Sequence, residues 1–156
     1  MLAVVDTNVP VVANGRSIQA SPECVKACKD ALQQLTSAGK IVIDDNFLII
    51  KEYHNNLNDK GQPGYGDFFL KWLLTNHKNP NKCECVSITP LNHNNCNFAE
   101  FPSDPHLISF DPADKKFVAV ANKHPRKPPI LEAVDVKWLN FIDILAENGI
   151  NVKFIC

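Results

Sequence analysis

Five short apolar runs punctuate this chain and helix-patterned segments separate them, an alternation that constrains the fold more than any other feature. The runs are Leu2–Val5, Lys40–Ile43, Glu84–Ile88, Ile130–Val134 and Ile150–Ile155. Runs of this length, bounded by turn residues and rich in branched side chains, read as strands. Helix signals fill the gaps. Ser21 and Pro22 suit the cap and first position of a helix that reaches about Ala38 and stops at Gly39. Further helices are expected from about Asn46 to Asn58, over Phe68–Leu74, from Asp111 to about Asn122, and from Asp135 to Glu147 before Gly149. Strands that alternate with helices pair in parallel, with helices on both faces of the sheet. The expected fold is α/β, a three-layer α/β/α sandwich around a central parallel sheet. The 156 residues, 45% of them apolar, are enough for one domain with its own core.

Two segments fall outside this rhythm. Thr89–His106 reads as a long, Asn-rich polar loop, and loops of that length in compact domains are usually functional or mobile. Lys123–Pro129 is a basic, proline-rich connector. The formal net charge of −1, from 16 basic and 17 acidic residues, excludes binding to polyanions through a global basic field. The start of the chain lacks the pattern of a signal peptide, and no apolar run approaches the length that spans a bilayer. A cytoplasmic protein without a membrane partner is the expectation. The six cysteines accordingly read as mostly reduced thiols. Cys83, Cys85, His93 and Cys96 are spaced too irregularly for a structural zinc site.

Ligands of open parallel sheets bind at the carboxyl ends of the strands. Asp6 ends the first strand and Asp135 the fourth. Asp111 and Asp114, three residues apart, share one face of a helix start, and Glu52 lies on an otherwise apolar helical stripe beside Leu48 and Ile49. Buried carboxylates without partners are costly, and a bound cation removes that cost. All-oxygen donors suit a hard ion, Mg²⁺ or Mn²⁺. Each residue also has a plainer reading: Asp111, Asp114 and Asp135 could cap helices, Asp44 and Asp45 read as caps, and Asp143 as a solvated charge. Asp6-Thr7-Asn8 is harder to dismiss, because three polar residues crowd the end of a buried strand. The sequence lacks Gly-x-Gly-x-x-Gly, Gly-Lys-Ser/Thr and Gly-x-Ser-x-Gly, which argues against dinucleotide binding, P-loop hydrolysis and α/β-hydrolase chemistry. It also lacks the second aspartate that a haloacid-dehalogenase phosphatase needs after its first strand.

Four segments together resemble the PIN-domain (PilT N-terminus) metal-dependent ribonucleases. They are Val4–Asn8, Ile43–Leu57 carrying Glu52, Phe110–Ala121, and Ala133–Trp138, in the family's order over nearly the whole chain. The resemblance implies a single Rossmann-like, PIN-like nuclease domain over residues 1–156 and the hydrolysis of RNA phosphodiester bonds. Asp6, Glu52, Asp114 and Asp135 match the family's acidic quartet and would be its catalytic and metal-binding residues, holding one or two Mg²⁺ or Mn²⁺ ions. Asn8 matches the polar helper, with Thr7 and Asp111 in support. Free-standing domains of this kind resemble the toxins of toxin–antitoxin pairs, which implies an antitoxin protein and a homodimer as partners. A non-catalytic α/β binding module that keeps an acidic metal site is the alternative. Contacts to RNA phosphates are expected from Arg16, Lys115, Lys116, Lys123, Arg126, Lys127 and Lys137, while Tyr53, Trp72 and Trp138 read as core or partner-facing.

Overall fold

A computed structural model describes residues 1–91 and 94–156, except for the side chains of residues 94 and 95. His93, of the irregular zinc spacing, therefore lies outside the described residues. Five strands form one parallel sheet: β1 (Leu2–Val5), β2 (Lys40–Asp44), β3 (Cys83–Val86), β6 (Ile130–Glu132) and β7 (Val152–Phe154), in the order β3-β2-β1-β6-β7. Helices α1 (Asn8–Ala13), α2 (Pro22–Ala38) and α4 (Tyr65–Asn76) pack together, while α5 (Lys115–Lys123) lies against β1, β2 and β6 and meets α3 (Leu48–Asn56). α6 (Ile142–Glu147) leads into β7. Sheet flanked by helices is the expected α/β/α sandwich. Its central strands are buried along their length, with Ala3, Val4, Val5, Ile41 and Ile43 fully enclosed, as a sheet covered on both faces requires. No described helix is long and apolar enough to cross a membrane.

Local chemistry places the elements. The Ser21 hydroxyl accepts from the Cys24 N–H at 3.1 Å, Pro22 takes the first helical position and Gly39 closes α2. Cys24, Cys28, Leu32 and Leu35 form its buried stripe, and the two leucines each contribute about 2 kcal/mol by leaving water. Asp44 caps α3, accepting from the Leu48 and Ile49 N–H groups at 2.8 and 3.0 Å, the capping role expected of it.

α1 departs from the expectation, which left the chain after Asp6 without an element. Pro10 is its third residue, where a missing N–H removes no interior hydrogen bond. α1 packs on α4 backbone to backbone: a Cβ on Gly66 would stand 2.0 Å from the Pro10 carbonyl oxygen. The expected loop Thr89–His106 also carries structure. Pro90–Leu91 (β4) and Asn94–Phe98 (β5) pair antiparallel, and Pro105–Leu107 makes a 3₁₀ turn. Buried Phe98 anchors this hairpin, and Glu100 accepts from the N–H and hydroxyl of Thr89. The segment after β6 begins as a 3₁₀ helix, Val136–Phe141, before α6. The thiols are not all reduced, since Cys24 and Cys156 form a disulfide across 132 residues of sequence.

Candidate active site

The sheet order reverses at β1, because β2 lies on one side of it and β6 on the other. Chain leaving β1 and β6 therefore diverges, and the carboxyl ends of these strands are where a sheet of this order offers a ligand crevice. Asp6 follows β1 directly, and its N–H donates to the Leu131 carbonyl at 3.0 Å, which ties it to β6. The hydroxyl of buried Tyr53 on α3 donates to the Val5 carbonyl and holds the end of β1. Tyr53 belongs to the core, as does Trp138, and both are enclosed.

The residue facing Asp6 is Glu132, which the sequence reading placed inside a strand without a role. That reading carried the strand to Val134 and made Asp135 its end, whereas β6 stops at Glu132. Glu132 is fully buried. Its Oε1 accepts from the Ala133 N–H at 2.8 Å and from Asn8 Nδ2 at 3.4 Å, but Oε2 has no hydrogen-bond partner. The Asn8 N–H donates to Asp6 Oδ2 at 2.9 Å, so Asn8 serves both carboxyls. Burial first, then the charge of Glu132, pushes the Asp6 carboxyl well above the usual carboxylate range. Burial likewise raises Glu132 to about 7, with the Asp135 charge adding to it. One signal could have exposed Glu132: it is the only charged residue in the run Ile130–Val134.

The remaining acids surround this pair. Asp114 is raised to about 7 by burial and then by the charges of Asp6, Asp111 and Asp135. Asp111 is held below the usual range, chiefly by Lys137, whose ammonium lies 2.6 Å from its Oδ2. The same ammonium stands 3.8 Å from Asp135, which also caps its own turn by accepting from the Lys137 N–H at 3.1 Å. Asp111 caps in the same way, accepting from the Ala113 N–H at 3.0 Å, so the capping reading holds for both. Glu52 accepts from the Thr7 hydroxyl through Oε2 and from the Lys116 ammonium through Oε1 at 2.8 Å. The crevice thus gathers Asp6, Glu52, Asp111, Asp114, Glu132 and Asp135, with Lys116 and Lys137 set among them. Among the described residues no three carboxylates bring oxygens within 4.8 Å of one another. The two ammonium groups hold the outer acids, while Asp6 faces Glu132 and lies near enough to Asp114 for its charge to raise it.

The expected phosphate contacts divide into four groups. Lys116 is nearly enclosed and spends its donors on Glu52 and the Ala113 carbonyl, so it belongs to the acidic cluster and does not face a substrate. Lys123, Arg126 and Lys127 precede β6 and therefore lie at the amino edge of the sheet, opposite Asp6. Arg126 pairs there with Glu84 at 3.0 Å, beside Lys40 at the start of β2, and Lys127 with the Asn122 carbonyl at 2.7 Å. Nearness to the acidic motifs in sequence becomes distance in space, because a parallel strand separates the segments before and after it. Lys137 and Arg16 remain exposed on the acidic side. Arg16 lines an open polar cleft of about 450 Å³ with His54 and Asn55–Asp59, and Asn55 also borders the depression beside Glu52. Lys115 donates to Asn97 Oδ1 at 2.8 Å and covers the Phe101 ring.

No family model, curated protein or solved structure matches this chain. The resemblance therefore stands on the four sequence segments alone.

Proposed function

We propose that this chain is a metal-dependent phosphodiesterase that cleaves RNA, acting at the crevice between β1 and β6. The observation that carries the reading is the buried carboxyl pair Asp6–Glu132, in which Glu132 Oε2 meets no N–H or hydroxyl donor, at the point where the sheet order reverses. Groups of that kind are rare unless a proton or a cation answers them. The donor set is all oxygen, which fits a hard divalent ion such as Mg²⁺ or Mn²⁺. Asp6 and Glu132 would hold it directly, with Asp114 and Asp135 completing the shell through water. Such an ion supplies an activated water and offsets charge on the scissile phosphate.

The chain's own residues do the rest. Asn8 orients both Asp6 and Glu132, Thr7 fixes one oxygen of Glu52, and Tyr53 holds the end of β1. Lys137, more than half exposed, can exchange its carboxylates for a phosphate oxygen. Arg16 and the asparagines of its cleft offer a charge and amide edges to the flanking nucleotides. A second reading, a binding module without turnover, draws on the two lysines that already neutralise Glu52, Asp111 and Asp135.

Cleavage of labelled single-stranded RNA by the full chain, in Mg²⁺ or Mn²⁺ against EDTA, separates the two. Metal-dependent cutting that falls at least about 100-fold in both Asp6→Asn and Asp114→Asn is the nuclease result. RNA binding without cutting in any metal is the module's result.

A further inference from the structure

One group of potential ligands plays no part in the acidic crevice. Cys24 and Cys28 lie four residues apart on the buried stripe of α2, so both sulfurs leave the same face. Cys156, two residues past β7, reaches the same point. The three sulfurs lie within 4.8 Å of one another, and no other group of three such ligand atoms converges as closely among the described residues. A disulfide between Cys24 and Cys156 uses two of them, and Cys28 remains beside it as a thiol. Cys24 and Cys28 are buried, while Cys156 is exposed and borders a cleft of about 420 Å³ walled by Val134, Val136, Leu139 and Phe154. Three sulfurs thus meet at a place with apolar surroundings and one opening to solvent.

We infer that, once the Cys24–Cys156 disulfide is reduced, Cys24, Cys28 and Cys156 form a three-thiolate site for a soft cation of the zinc class. A dithiol reductant supplies the two electrons and two protons that convert the disulfide into two thiols, and is itself oxidised to a disulfide. One cation then displaces one proton from each of the three sulfurs, and water on the Cys156 side completes four-fold coordination. Thiolate donors select this ion class over the hard ions that suit the carboxylates, so the two sites are chemically separate. The inference does not depend on the nuclease reading.

The test is an anaerobic titration of the reduced, full-length chain with Cd²⁺, followed by the ultraviolet thiolate-to-metal charge-transfer band and then by Zn²⁺ displacement. The expected result is one Cd²⁺ per chain, with the band reduced at least twofold in Cys24→Ser and in Cys156→Ser and unchanged in Cys85→Ser. Cys156 is exposed, so its substitution leaves the core intact. Carboxylates give no such band, which keeps ions at the acidic crevice out of the readout. A band that survives in both Cys24→Ser and Cys156→Ser, no band at all, or equal uptake by the oxidised protein would overturn the site.

Discussion

Asp6 and Asp67 are equally hidden from water, at 2% and 0% exposure, and their surroundings are opposite. Asp67, near the start of α4, accepts from Asn14 Nδ2, the Asn58 N–H and the Gly64 N–H at 2.8–2.9 Å. Against the desolvation of its charge, these donors hold its carboxyl below the usual range. Asp6 accepts from one backbone N–H and faces Glu132, and its carboxyl is pushed well up. The buried carboxylate of Asp67 comes with donors, whereas that of Asp6 comes with another carboxylate. Asp44, saturated by the N–H groups of α3, falls on the Asp67 side of this line.

The largest effect should come from breaking the satisfied member. Asp67→Ala strands three donors and should lower stability by about 3 kcal/mol in urea unfolding. Glu132→Gln should do the reverse. Its new amide can donate toward Asp6, so a gain of about 1 kcal/mol at pH 7.5 is expected from the same measurement. A loss in Glu132→Gln as large as that in Asp67→Ala would erase the distinction.

Stability against pH sharpens the contrast, because the two carboxylate classes act with opposite sign. Glu132 and Asp114, each raised to about 7 in the folded chain, bind more protons folded than unfolded. Their contribution is complete below the unfolded carboxylate range and is lost as pH rises toward 7. Asp67 is lowered, so its contribution is present above that range and is lost on acidification. Unfolding midpoints should therefore decline between about pH 4 and 7, and Glu132→Gln or saturating Mn²⁺ should flatten that decline. Asp67→Asn should flatten only the acid limb.

The smallest effects concern the lysines. Lys137→Ala breaks an exposed pair and should change stability by less than about 1 kcal/mol. Neutralising Lys123, Arg126 and Lys127 together should leave RNA affinity and its salt dependence unchanged, because these residues occupy the amino edge. A clear loss of affinity would place substrate on the wrong side of the sheet.

Much of the scaffold was legible from the sequence because its signals are local. α2 begins at Pro22 and ends at Ala38, as its cap, proline and glycine dictate. β1 ends against Asp6, and the alternation of elements gives the parallel sheet. What stayed hidden depends on distant contacts. α1 has few helix signals of its own and is held by close packing on Gly66 of α4. The 89–106 segment shows no apolar alternation, since Phe98 alone anchors its hairpin. Glu132 looked like an interruption in a strand until the register set it beside Asp6. The thiols expected to be mostly reduced include one disulfide pair, hidden because α2 and the chain after β7 meet only in three dimensions.

Mn²⁺ binding measured by calorimetry on the full chain at pH 7.5 tests the crevice most directly, with wild type beside Asp6→Asn and Glu132→Gln. The account predicts uptake by wild type, with affinity at least tenfold weaker in both variants while each stays folded. Binding that is absent in wild type, or undiminished in the two variants, would contradict it.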